Sequence, residues 1–104
     1  AFVEGFKAWG AEDNTRIENN GGTADAISSV TPCGYDAYMA AVNAIEAANS
    51  TEGPAIRDAL ASLNVPGLIT GDLSFDENGD AVKTYAVIKT IKDGQIVYFS
   101  TYNG

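Results

Sequence analysis

At Gly67-Leu68-Ile69-Thr70-Gly71-Asp72-Leu73-Ser74-Phe75-Asp76-Glu77-Asn78-Gly79-Asp80 the hydrophobic period of the chain changes. Up to Pro66 the apolar residues recur at helical spacing. From Leu68 onward they alternate, with Leu68, Thr70 and Asp72 on one side of the chain and Ile69 and Leu73 on the other. Asn78-Gly79 then marks a tight turn. Helices therefore precede this stretch and strands follow it.

Downstream, Val82–Ile91 and Gln95–Tyr102 are rich in β-branched and aromatic residues, and Lys92-Asp93-Gly94-Gln95 between them carries the Asp-Gly signature of a two-residue hairpin loop. Strands are expected within 68–75, 82–91 and 95–102. Upstream, Thr31-Pro32 reads as a helix start, with Thr31 as N-cap and Pro32 in the first turn. Tyr35, Tyr38, Met39, Val42 and Ile45 follow on one face, alanines fill the others, and Asn49-Ser50 closes a helix over 32–49. Such an Ala-rich helix packs closely on more than one side, as helices that flank a sheet do. Pro54 opens another helix over 54–63, with Ile56, Leu60 and Leu63 as its core face and Asn64 and Pro66 as its stop.

Phe2, Val3, Phe6 and Trp9 predict a short amphipathic helix over 2–9. Residues 10–31 are polar and rich in breakers, which predicts a long loop turning at Asn20-Gly21-Gly22, with Ala24–Val30 a candidate helical turn. The order is α, long loop, α, α, then a β-hairpin-rich end, an α/β chain over residues 1–104.

Six basic against fourteen acidic residues leave a net charge of −8, a surface that repels phosphate backbones and anionic membranes and argues against nucleic acid as a partner. The carboxylates (Glu4, Glu12, Asp13, Glu18, Asp25, Asp58, Asp72, Asp76 and Asp80 among them) are scattered, the pattern of a solubilising surface. A lone cysteine, Cys33, excludes an internal disulfide. No apolar run reaches the ~18 residues of a membrane helix. The opening Ala1-Phe2-Val3, already inside an amphipathic pattern, reads as a fragment boundary or a mature internal cut.

Chemistry-bearing constellations are few, and no enzyme is expected. The chain has no histidine, so His-based triads and His-ligated metals are absent, and one cysteine cannot build a zinc–thiolate site. Cys33, where a helix opens, is expected as a small packed residue rather than a nucleophile. Ser28, Ser29, Ser50 and Ser74 have no nucleophile context. Asp72, Asp76, Asn78 and Asp80 invite a calcium-loop reading. Aligned on Gly79, however, the frame puts Tyr85 where a bidentate Glu is needed, and started at Asp76 it puts Ala81 where the glycine belongs. Asp76–Asp80 is therefore read as a polar turn, and no metal or cofactor is expected. Gly67, Gly71 and Gly79 lack the Gly-Lys-Ser/Thr of a phosphate loop. Asn49-Ser50-Thr51 fits a glycosylation acceptor only at the level of a chance match. Tyr85, Tyr98, Phe99 and Tyr102 are expected to pack, since Lys83, Lys89 and Lys92 are too few for a base-stacking platform.

Taken together the segments resemble the C-terminal stretch of type I periplasmic solute-binding proteins, the leucine/isoleucine/valine-binding branch of ABC transport. The likeness runs through Phe2-Val3-Glu4-Gly5-Phe6-Lys7, Gly34-Tyr35-Asp36-Ala37 and Ala44-Ile45-Glu46-Ala47-Ala48-Asn49-Ser50. It continues through Ile56-Arg57-Asp58-Ala59-Leu60, Gly67 to Asp80, Tyr85–Ile91, Asp93-Gly94 and Ile96–Phe99. Only residues 10–31 depart from it, longer and richer in Asn and Gly than the usual connection.

The resemblance implies a two-lobed α/β protein that closes on a small amino acid outside the cytoplasm, in the periplasm or lipid-anchored at the cell surface, and delivers it to an ABC permease. It implies that this chain is a C-terminal fragment whose cleft-lining residues lie mostly upstream. Tyr35 and Asp36 are expected as packing and helix N-terminal residues, with Asp36 complementing the helix dipole. Faces made for an absent sheet and unpaired strand edges predict self-association. The competing reading is a stand-alone acidic α/β interaction domain without a ligand cleft.

Overall fold

The computed structural model describes residues 1–104 as four helices followed by two small antiparallel sheets, an α/β arrangement. The elements are α1 (Phe2–Ala11), α2 (Asn14–Asn19), α3 (Thr31–Ala48), α4 (Gly53–Ala61), β1 (Asn64–Leu68), β2 (Gly71–Ser74), β3 (Tyr85–Lys92) and β4 (Gln95–Asn103).

The expected loop over 10–31 is half built. Asp13 caps α2, its carboxylate accepting from the N–H groups of Thr15 (2.7 Å) and Arg16 (3.4 Å). The Arg16 guanidinium donates to the Trp9 carbonyl at 2.7 Å and lies over the Trp9 ring, 4.3 Å from its centroid. Asn20 then closes the next bend by donating from Nδ2 to the carbonyls of Thr23 and Ala26. Residues 24–30 form bends and a turn rather than a helical turn, folded back on α1, where Gly10 meets Ala24 and Lys7 pairs with Asp25 at 3.3 Å. A six-residue helix carries no apolar stripe, so its cap was the only signal of it.

α3 begins at Thr31 with Val30 as its N-cap, one residue earlier than the Thr31 cap expected from sequence. The Thr31 hydroxyl is engaged with the Ser28 N–H and hydroxyl instead. Asn49 ends α3 in the left-handed region at φ 46°, a conformation asparagine tolerates well. α4 packs on α3 and stops at Ala61, two residues short of Leu63, because the chain turns at Ser62 into β1. β1, absent from the expected strands, pairs with β2 at Asn64↔Ser74, Val65↔Leu73 and Leu68↔Gly71 around an irregularity. Pro66 is tolerated there because a two-stranded sheet is all edge. The β3–β4 hairpin has Asp93 at φ 52° and Gly94 at φ 75°, the paired positive angles of a type I′ turn.

Only Ala40, Ala44, Leu73, Asp36 and Gly10 are buried, and the radius of gyration is 17.0 Å. A compact chain of this length has about 13 Å. The small core lies where α3 meets α4 and the β1–β2 turn.

Candidate functional site

The densest polar convergence in the molecule is the turn Ile69-Thr70 between β1 and β2, which three elements hold at once. From α3, Asp36 reaches out with both oxygens, accepting from Ile69 N–H at 3.0 Å and Thr70 N–H at 2.8 Å. From the segment before β3, Lys83 Nζ donates to the Thr70 carbonyl (3.1 Å), the Thr70 hydroxyl (3.1 Å) and the Asp72 carbonyl (3.3 Å). From β3 itself, the Tyr85 hydroxyl donates to the Thr70 carbonyl at 2.8 Å. Asp72 tightens the turn from within, accepting from Gly67 N–H at 2.8 Å.

Local geometry makes the approach possible. Gly71 sits at φ 93°, and a Cβ there would stand 3.2 Å from the Tyr85 ring. Glycine meets both demands, the left-handed backbone and the close approach. Asp36 is one of five buried residues, and burial is the largest influence on it, pushing its carboxyl up. The Thr70 hydroxyl, the Thr70 and Ile69 amides and the Lys83 charge together outweigh burial and hold Asp36 below its ordinary value of 3.8. Asp36 therefore stays ionised, with its acceptor capacity spent on the turn.

Beside this node runs a groove of about 570 Å³ between α1 and α3, lined by Phe2, Phe6, Trp9, Tyr35 and Ile69. Its aromatic rings form a ladder, Phe2–Phe6 at 6.1 Å, Phe6–Trp9 at 5.8 Å and Phe2–Tyr35 at 5.4 Å between centroids. Ile69 belongs to both groove and turn, so the node fixes one wall of the groove.

The residues singled out by sequence fall as follows. Tyr35 stands against Phe2 at the groove, though 45% of its surface is open. Asp36 is not a helix N-terminal residue: it lies in the second turn of α3 and serves the backbone of a distant turn. Cys33 is exposed rather than packed, its thiol directed to the Ser29 carbonyl at 3.6 Å. Asp76 folds the 76–80 turn on itself. Its Oδ1 accepts from Asn78 N–H (2.8 Å) and Asp80 N–H (2.9 Å), and these amides hold its carboxyl below the ordinary range. No group of three acidic, thiol or imidazole side chains is arranged to hold a metal ion. Ser50 accepts from Glu52 N–H at the head of α4. Gly67, Gly71 and Gly79 all have positive φ and serve turns. Tyr98, Phe99 and Tyr102 are exposed, not packed, because the β3–β4 hairpin stands away from the helices.

Sequence reading missed that Lys83 and Tyr85 converge with Asp36 on the Thr70 turn. The available signal was the polar threonine between two glycines of the turn; Lys83 itself resembled any surface lysine.

No charged side chain in the groove is free to grip a zwitterion. Asp36 and Lys83, at the node beside it, are both committed to the Ile69–Asp72 backbone, and Arg16, over the Trp9 ring, is engaged by the Trp9 carbonyl and Glu12. The arrangement braces a turn and presents an apolar wall; it offers no nucleophile with a base beside it.

Compared with known families, the chain matches the receptor family ligand binding region over residues 2–93, from α1 through β3 into the hairpin turn. The comparisons with curated proteins and with solved structures returned no match.

Proposed function

We propose an extracytoplasmic ligand-binding role for this chain, which belongs to the receptor ligand-binding family. That family binds small-molecule ligands. In the finer reading, the chain is part of the substrate-binding component of an ABC importer for branched-chain or related small amino acids, which it presents to the permease. The observation that carries the ligand-binding role is the family match across residues 2–93; the importer and amino-acid reading rests on the order of the sequence segments. The Asp36 carboxylate joins two motifs inside that match, the Gly34–Ala37 helix segment and the Gly67–Gly71 turn.

Residues 1–104 act here as bracing scaffold, and the groups that hold the ligand's ammonium and carboxylate are supplied by chain outside them. Self-association covers the open faces. An acidic interaction module without a cleft is the second reading, favoured by the exposed hairpin.

Thermal-shift screening of the full natural protein against the amino acids separates the two. Leu, Ile or Val at a thousandfold excess over its dissociation constant is expected to add about 4 kcal/mol of apparent stability. No shift with any amino acid refutes the transport reading and leaves the interaction module. Residues 1–104 alone are expected to show no micromolar amino-acid affinity, and such an affinity would overturn the scaffold role.

A further inference from the structure

Three of the six basic side chains, Lys7, Arg16 and Arg57, pair with carboxylates. Lys83 is held differently. Its ammonium donates to three neutral oxygens of one turn: the Thr70 carbonyl and Thr70 hydroxyl, each at 3.1 Å, and the Asp72 carbonyl at 3.3 Å. An ammonium has three donors and no acceptor, so these oxygens use it completely. The Thr70 carbonyl is filled as well, since its second lone pair takes the Tyr85 hydroxyl at 2.8 Å.

Other residues shape this cage of oxygens. Asp72 fixes the turn from within through the Gly67 N–H, and Asp36 fixes it from α3 through the amides of Ile69 and Thr70. The lysine arrives on a segment with its own anchors. Phe75 bridges Ala81, and the Val82 N–H donates to the Ser74 carbonyl at 2.9 Å, which returns the chain beside β2. Cage and cation therefore meet from two separate supports. All of these contacts are made within residues 36–85, so they do not depend on what packs outside them.

The cage also calls for a positive charge. Asp36, 5% exposed, sets an ionised carboxylate against the Thr70 N–H, while Lys83 sets a cation against the Thr70 carbonyl. Each charge strengthens the hydrogen bond on its own side of that residue. A cavity of about 230 Å³ adjoins the ammonium, lined by Asp36, Thr70, Leu73 and Lys83 among others. An ion the size of a water molecule takes up about 30 Å³, so the space admits one.

We propose that the Ile69–Asp72 turn is a monovalent-cation site that the chain fills with its own Lys83 ammonium. A free ammonium ion takes that place when the lysine side chain is removed. The site needs no transported ligand and holds for either reading of the protein's function.

Lys83→Ala in the full natural protein removes the tethered cation and leaves the cage. The variant is expected to melt below the wild type and to regain most of the loss, saturably, with ammonium chloride. Rescue is expected at millimolar concentrations or above, because a short tether supplies its group at an effective concentration of about millimolar. Tetramethylammonium chloride at equal ionic strength carries the charge without an N–H, and is expected to restore nothing beyond general screening. Lys83→Met, whose side chain occupies the space, is expected to ignore ammonium.

A Lys83→Ala protein that gains nothing from ammonium, or gains equally from tetramethylammonium, overturns the proposal. A Lys83→Met protein rescued as well as Lys83→Ala also overturns it. Competitive labelling with limiting acetic anhydride tests the unmutated protein, because the amine must leave its three oxygens to react. Lys83 is expected to acetylate more slowly than the exposed Lys89 and Lys92; equal rates overturn the proposal.

Discussion

The Asp36 carboxylate accepts a 2.8 Å hydrogen bond from the backbone N–H of Thr70, thirty-four residues downstream, and a second from Ile69. The carboxylate thereby fastens α3 to the turn on which Lys83 and Tyr85 also converge. This is the longest polar link in the molecule, and most of what can be tested about the fold passes through it.

Asp36→Asn keeps one acceptor oxygen and turns an NH2 group toward a backbone donor. With one charge-assisted bond lost and one amide left facing a donor, the variant is expected to lose about 2 kcal/mol. For a chain of this size that is on the order of 10 °C in Tm. A urea titration followed by circular dichroism measures it, and an unchanged midpoint would refute the role given to Asp36.

Acid should erase that difference. Folding lowers the Asp36 carboxyl below 3.8, so its stabilisation is complete above that value and is lost as pH falls through the lower folded value. The gap between wild type and Asp36→Asn is expected to be full at neutral pH and to shrink below about pH 3.8. Asp13 and Asp76, also lowered by backbone amides, are common to both proteins and cancel in the comparison. Paired urea titrations at neutral and at acid pH are the check; a gap that widens on acidification contradicts the assignment.

Gly71 and Gly79 separate two kinds of glycine demand. Both have positive φ, 93° and 85°, but only at Gly71 would a Cβ meet a neighbour, the Tyr85 ring at 3.2 Å. Gly79→Ala is expected to cost about 1 kcal/mol of backbone strain. Gly71→Ala is expected to cost more, about 2 kcal/mol, because it also displaces Tyr85 from the Thr70 carbonyl. Equal midpoints for the two variants in thermal melts would count against the close approach.

Calcium is expected to leave the protein unchanged. Asp76 Oδ1 is already occupied by the amides of Asn78 and Asp80, and neither reading frame supplies a bidentate Glu. Thermal melts with and without millimolar calcium should coincide; a saturable rise in Tm would restore the metal-loop reading.

How much of this was legible depends on the range of the force that fixes each element. The Asp93-Gly94 turn was readable, since its positive φ angles are a property of two adjacent residues. α2 is not legible although Asp13 is a good cap, because a helix of six residues offers no periodicity to confirm one. β1 was masked by Pro66, which argues against a strand unless that strand lies at an edge.

Helices before strands, the hairpin turn and the likeness to type I solute-binding proteins are all readable from residue order, because caps, turn residues and hydrophobic period act over a few neighbouring positions. The role of Asp36 emerges only once the chain is folded. A carboxylate in the second turn of a helix suggests solvent or a dipole, until the chain brings the Thr70 amide and the Lys83 ammonium beside it. Those partners lie far along the chain, so burial and hydrogen bonding, rather than propensity, assign the role.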